Sequence, residues 1–512
     1  MGQPVQVQVL PPAFRPRPIQ PCDPPRGAPP HTVVTNLPTI SSLTDASWSP
    51  ATWRARPALQ QPAWPDRGAL ESVLDAIRAL PPLVTSGEVE SLKSQLASAA
   101  RGERFVLQGG DCAESFADCT GGRVASQLKL LLQMSLVLVH ELRVPVVRVG
   151  RIAGQYAKPR TSDTETRGGI TLPSYRGDNV NSPAFDADAR TPDPALLMAG
   201  YERAAITLNF MRSLADSGFA DLHHPEQWDL EWMSHSPLGA EYRRMVDSIG
   251  DSLRHIDSME GMLPGGRGRV EFHASHECLL LDLEEALVRT VPRREGHYLL
   301  STHMPWIGLR TASPGSAHVE FLRGVANPVG VKVGPGTSPE DAVAMVRTLN
   351  PHREPGKVAL IHRMGARRIA ATLPAIVRAV SAANLPVLWI CDPMHGNTEI
   401  VTPAEGAWAG RAIKTRKFAH IVAEIEQAIE VHASCGTVLG GMHFELTGDP
   451  VTECTGGARG LSDEQLARAY RSQIDPRLNS EQALEVAMLV ARRLRSSRLS
   501  SPVQCPVRRA GS

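Results

Sequence analysis

No CxxC pair occurs among the eight cysteines, which fall at Cys22, Cys112, Cys119, Cys278, Cys391, Cys435, Cys454 and Cys505. That spacing offers neither a disulfide framework nor a zinc finger, and it fits a reducing compartment. Charge of one sign is also missing: 54 basic against 53 acidic side chains leave a formal net charge of +1. Such a balance gives no reason to expect nucleic acid or an acidic membrane as a partner. The longest apolar run, 130–139, is too short to span a bilayer and is broken by Gln133 and Ser135. The first residues contain no apolar signal-peptide core, and their proline density argues against the amphipathic helix of a plastid transit peptide. A cytoplasmic location in a bacterial cell is the expectation. No Gly-rich dinucleotide fingerprint follows the first β-rich run, which weighs against an open, doubly wound nucleotide-binding sheet.

What the chain does have is length and alternation. Its 512 residues can bury one large core or two ordinary ones. Residues 1–47, with PPAFRPRPIQPCDPPRGAPP at 11–30, read as a disordered proline-rich extension, and 495–512 as a disordered tail. Residues 48–102 read as an N-terminal helical extension packed outside the main domain, with helices near 70–79 and 86–100. Beyond it, short β-rich runs are expected at 105–107, 145–149, 270–274, 298–302, 329–333, 358–362, 386–390 and 441–446. Helical patterns separate them at 124–141, 195–215, 279–289, 339–349, 366–379 and 418–432. Eight strands alternating with helices predict an α/β fold, a closed (β/α)8 TIM barrel over 103–494. The interval 162–269 is too long for one crossover and predicts an inserted helical subdomain.

Barrel chemistry lies at the carboxyl ends of the strands, and the distinctive polar residues fall there repeatedly. QGGDCAESF (108–116), WICDPMHGN (389–397), GGMHFELTG (440–448) and DPRLN (475–479) each place a metal-capable or anion-capable side chain after an apolar run. Cys112, His395, Glu445 and Asp475 could supply a thiolate, an imidazole and two carboxylates to one divalent ion. That mixed hardness suits manganese, cobalt, iron or zinc better than magnesium or calcium. Cations follow the same rule: Arg148, Arg151, Lys158 and Arg160 after the second strand, Arg310 after the fourth, Lys332 after the fifth and Arg363 after the sixth. So many converging on one mouth would repel by several kcal/mol in aggregate unless anions offset them. Taken singly, each residue has a plainer reading, as a core thiol, a turn cap or a solvated charge. Four such coincidences at strand ends favour a metal-assisted enzyme acting on small, highly anionic, phosphorylated molecules.

These segments resemble the class II (plant-type) 3-deoxy-D-arabino-heptulosonate 7-phosphate (DAHP) synthases. The motifs, in order, include QQPAWPD, PPLV, QGGDCAESF, KPRT, SYRGDNVN, SHECLLLDLE, WIGLRT, ANPVGVKVGP, RMG, CDPMHGNT, KTRKF, GGMHFELTG, VTECTGG and DPRLN. The resemblance implies condensation of phosphoenolpyruvate with erythrose 4-phosphate, a required divalent metal, typically manganese or cobalt, and a homo-oligomer, a dimer by default. It implies Cys112, His395, Glu445 and Asp475 as ligands, and Arg151, Arg310, Lys332 and Arg363 as the phosphoenolpyruvate set. Lys158 would lie close to both substrates as proton donor, and Lys158-Pro159-Arg160-Thr161 would bind erythrose 4-phosphate. The chain departs from the family pattern at Leu309 and Ala312, where an acidic and a basic residue are usual, and at 367–371. It also carries an extra segment around 403–411. These departures raise two alternatives, a specialised-metabolism paralogue using an amino analogue of erythrose 4-phosphate and a catalytically weak regulatory homologue.

Overall fold

The computed structural model describes residues 48–216, 230–260 and 271–500. Eight parallel strands form one ring: β1 (Phe105–Gly110), β2 (Val146–Arg151), β3 (His273–Ser275), β4 (Trp306–Ile307), β5 (Val329–Val333), β6 (Val358–His362), β7 (Leu388–Cys391) and β8 (Leu439–Glu445). Hydrogen-bonded neighbours run β3-β2-β1-β8-β7-β6-β5-β4. A parallel bridge between Glu277 and Trp306 joins the two ends, with Cys278 N donating to Trp306 O at 2.9 Å. Closure leaves no sheet edge, so the expected barrel holds and the open-sheet rival falls.

The fourth strand corrects the sequence reading. Residues 298–302 were expected to be a barrel stave, but His297–Leu299 pairs antiparallel with Val288–Thr290 in a separate hairpin. The stave is Trp306–Ile307 instead. Tyr298 and Leu299 are buried and β-prone wherever they pair, so composition could not separate hairpin from stave. The same hairpin shortens the helix expected at 279–289 to Leu281–Ala286. Residue 270 of the expected third strand lies outside the described residues, as do 1–47 and 501–512.

The main helices are α1 (Arg67–Ala79), α2 (Ser86–Ala100), α3 (Gly121–Leu142), α4 (Ala195–Asp216), α5 (Gly239–Glu260), α6 (Pro339–Leu349), α7 (Ile369–Ala382), α8 (Phe418–Ser434) and α9 (Ser480–Ser500). α9 runs six residues past 494, where the tail was expected to begin. α3 carries the apolar run at 130–139 and has the length and composition of a membrane span, yet Leu130, Leu131, Met134, Val137 and Leu138 are core residues. It packs on α9, α4 and β2. The insertion after β2 begins with a hairpin, Thr164–Arg167 against Ile170–Pro173, before any helix. Its two-residue turn is Gly168-Gly169, both at positive φ (56° and 81°), the conformation a tight hairpin requires.

α2 does not pack outside the barrel as expected; it closes the ring's amino-terminal end. A Thr85–Glu88 capping box starts it. Its Leu92, Leu96 and Ala99 share one apolar cluster with the inward-facing Val106, Val147, Val149, Ile361, Leu388 and Ile390. Without α2 these aliphatic layers would face water. Gly440 permits the approach, since a Cβ there would lie 2.8 Å from Ala99 O. Leu96→Ala, at a fully buried position, is expected to cost about 2–5 kcal/mol. Denaturant titration reads that loss, and a change under about 0.5 kcal/mol would mean that α2 contributes little to the core.

Candidate active site

Side-chain parity aims the site. In β2, Val147 and Val149 face the barrel interior, so Arg151, two residues on, also ends inward. Arg148 has the opposite parity and points out, donating from Nε to Ser135 Oγ of α3 at 3.0 Å. It therefore leaves the group of converging cations. Gly110 of β1 pairs in register with both Arg151 and Glu445, so the three strand ends form one row. A Cβ at Gly110 (φ +151°) would meet Arg151 O at 2.4 Å, so only glycine lets the strands approach there. Cys112 follows two residues later. Leu478 N donates to Glu445 O at 3.0 Å, which draws the DPRLN segment, and Asp475 with it, beside β8.

Three of the expected ligands, Cys112, Glu445 and Asp475, meet, and His395 adjoins them through Glu445. Cys112 Sγ lies 3.8 Å from Asp475 Oδ2, and donor atoms of Cys112, Glu445 and Asp475 lie within 4.8 Å of one another. His395 Nε2 is 2.9 Å from Glu445 Oε1. On its other side, His395 Nδ1 faces Asp392 Oδ2 at 2.7 Å. A carboxylate there accepts a hydrogen bond from Nδ1–H and leaves the Nε2 lone pair available to an ion. Burial lowers the His395 pKa despite Asp392 and Glu445, which keeps the ring neutral. A thiol and two carboxylates within 4.8 Å of one another, with an imidazole nitrogen beside Glu445, form a donor set that fits a divalent cation. Burial together with the Glu445 and Asp475 charges pushes the Cys112 thiol up to about 12. A bound cation reverses that balance by stabilising the thiolate.

Cations surround the same carboxylate. Glu445 is fully buried and would be neutral by burial alone, but His395, Lys158, Arg416 and Arg151 hold its pKa well below the usual range. Oε1 accepts from Arg151 Nη2 at 2.9 Å and Lys158 Nζ at 3.2 Å. Arg416 Nη2 forms an ion pair with Oε2 at 2.7 Å. Arg151 is anchored by Asp111 O and Cys112 O and lies over the Trp306 ring at 5.1 Å. Above this centre opens a cavity of about 440 Å³ whose wall carries seven cationic side chains against three carboxylates. Arg151, Lys158, Arg160, Thr161, Arg310, Lys332, Arg363, His395 and Asp475 all reach it, whereas Cys112 and Glu445 lie buried behind that wall. Arg310 Nη2 donates to Thr161 Oγ1 at 2.8 Å, and Arg363 Nη2 to His395 O at 3.1 Å. Leu309 supplies an apolar patch beside Arg310.

Sequence reasoning missed three participants. Arg416 sits on the second strand of a hairpin (Thr398–Val401 with Ile413–Arg416) whose connecting loop is the extra segment at 403–411. Asp392 lies three residues before His395. His443, two residues before Glu445 and so on the same face, meets Arg151 Nη1 through Nε2 at 2.6 Å and Gln108 Oε1 through Nδ1 at 2.8 Å. Period-two spacing back from Glu445 would have found His443; Arg416 lies in the KTRKF motif, but no expected barrel strand leads into it. A second donor group, His362, Cys391 and Glu424, is also buried. Its carboxylate is already engaged by three N–H groups, from Met364, Gly365 and Asn397.

Lys332 gives the site a pH dependence. Burial is the largest cause lowering its pKa, to about 8; Arg151 and Arg363 act the same way against Asp392, which Nζ meets at 2.5 Å. The ammonium is therefore charged below about pH 8 and neutral above it. Affinity for an anionic substrate is expected to fall as pH rises through that value, read as an inflection in kcat/KM, which reports the free enzyme. Lys332→Arg, charged throughout, should remove the inflection; its persistence would assign it elsewhere.

The profile described as "Class-II DAHP synthetase family" matches residues 48–491. A Neurospora crassa protein named phospho-2-dehydro-3-deoxyheptonate aldolase is 45% identical over 467 residues, covering 88% of this chain and 95% of its own length. A Streptomyces coelicolor protein of the same name is 45% identical over 453 residues, covering 88% of this chain and 98% of its own.

Proposed function

This chain belongs to the class-II DAHP synthetase family, and on that basis we propose that it condenses phosphoenolpyruvate with erythrose 4-phosphate, the first step of the shikimate pathway. The supporting observation is the cluster of Cys112, Glu445 and Asp475, with His395 against Glu445, beside a cavity with a large cationic excess. A divalent ion held by these residues would act as Lewis acid on the aldehyde oxygen. With a thiolate in the set, manganese or cobalt is the metal we assign rather than magnesium.

The remaining roles belong to the protein. Arg151, Lys332, Arg363 and Arg310 bind the carboxylate and phosphate of phosphoenolpyruvate, where the guanidinium fork suits two anionic oxygens. Arg160 and Thr161 bind the phosphate of erythrose 4-phosphate. Phosphoenolpyruvate C3 forms the new bond to the aldehyde carbon, and the aldehyde oxygen takes a proton from Lys158. Water adds at C2, and the resulting hemiketal phosphate loses inorganic phosphate. Holding two polyanions in reacting geometry contributes roughly 7–11 kcal/mol. The intact donor set and cation set favour this activity over a non-catalytic role, and no feature of the cavity favours an altered aldehyde.

We assign the protein to the cytoplasm and, by default, to a homodimer. The deciding experiment follows phosphoenolpyruvate consumption in the presence of erythrose 4-phosphate, with metal chelated and then restored. Turnover should vanish on chelation and return with manganese or cobalt. An undiminished rate after chelation would overturn the assignment.

A further inference from the structure

Two loops carry the cationic and metal-binding halves of the site. The loop after β6 holds Arg363, followed by Met364 and Gly365; the loop after β7 holds His395, followed by Gly396 and Asn397. They touch backbone to backbone. A Cβ on Gly396 would lie 2.3 Å from Gly365 N, and one on Gly365 (φ +81°) would lie 2.5 Å from Gly396 O. Only glycines permit that contact, and the loops are also tied by Arg363 Nη2 donating to His395 O at 3.1 Å.

Glu424 of α8 is placed to tie them from behind. Its side chain is fully buried and does not line the cavity. Oε1 accepts from Met364 N and Gly365 N, both at 2.9 Å. Oε2 accepts from Asn397 Nδ2 at 2.7 Å. Asn397 completes the junction: its Oδ1 accepts from Ala366 N at 3.0 Å and its Nδ2 donates to Pro393 O at 2.8 Å. Three N–H donors converge on this side chain and favour its acceptor-only, ionised form, against burial, which pushes its pKa up to about 8.

We propose that Glu424 is a positioning residue that fixes the Arg363 loop against the His395 loop, so that phosphoenolpyruvate binding and metal binding share one geometric constraint. The inference rests on the roles assigned to Arg363 and His395 above. It assigns function to a carboxylate that touches neither substrate nor metal. Residues that orient ligands from behind typically change metal affinity or activity by about 10–100-fold when removed.

Two variants of the full-length protein separate this from a purely structural role. Glu424→Gln conserves volume and can keep Oε1 on Met364 N and Gly365 N, but turns an N–H toward Asn397 Nδ2. Manganese affinity should fall about 10-fold, with the KM for phosphoenolpyruvate changing less than about 3-fold. Glu424→Ala loses both halves, so manganese affinity and that KM should each worsen by about 10-fold or more, with the KM for erythrose 4-phosphate nearly unchanged. Ile429→Ala, farther along the same helix, controls for stability: it should lower Tm while leaving both constants in place. Lower Tm for both Glu424 variants without a change in either constant would overturn the proposal. So would Gln and Ala variants with identical profiles, and the Gln variant suffices if the Ala variant does not fold. If the wild type itself neither binds manganese nor consumes phosphoenolpyruvate, it is the assigned function that fails.

Discussion

Glu445→Gln is expected to lower kcat/KM by roughly 10³-fold or more and to weaken manganese binding to a similar degree. The carboxylate is the charge on which His395, Arg151, Lys158 and Arg416 converge, and all but His395 carry a full positive charge. An amide has the same shape but no charge, and half of its polar end is a donor facing other donors. Removing one member of a buried charge cluster leaves its partners uncompensated, at a cost of about 3–5 kcal/mol in folding stability. Metal titration of the chelated protein, together with a melting curve, measures both effects. A variant that kept wild-type manganese affinity would remove Glu445 from the ligand set.

Lys158→Met should act differently. Burial works to lower the Lys158 pKa, but Cys112 as a thiolate and the Glu445 and Asp475 carboxylates outweigh it and raise the value, so the ammonium keeps its proton through neutral pH. That is the state a proton donor to the aldehyde oxygen requires. Loss of the donor is expected to cut kcat by about 10²–10⁴-fold, with manganese affinity changed far less because Lys158 is not a ligand. Lys158→Arg should recover part of the substrate affinity through its charge but little of kcat, since a guanidinium gives up a proton poorly. Single-turnover measurement of the chemical step distinguishes these effects from slow product release. A kcat within about 3-fold of wild type in the Met variant would exclude Lys158 as the donor.

The two variants together separate the ligand from the acid. Glu445→Gln should lose metal and chemistry at once, and Lys158→Met should lose chemistry with the metal retained. Their phenotypes should not be additive, because the two side chains share one hydrogen bond at 3.2 Å.

The amino-acid sequence by itself determined most of the alternation of strands and helices, the four candidate donors and most of the cations that line the cavity. These were legible because apolar period and strand-end position are local properties, and a barrel brings every strand end to one face. Tertiary structure decided what depends on pairing and parity. Arg148 left the site because it stands three residues from Arg151, on the opposite face of β2. The run at 298–302 became part of a hairpin, since a buried apolar segment satisfies its backbone in either arrangement. α2 turned out to seal the barrel floor because only in three dimensions do aliphatic layers require a cover. The roles of Arg416, though it stands in the KTRKF motif, and of Glu424 were not legible for the same reason: a buried charge acquires its role from partners far away along the chain, and only folding brings those partners together.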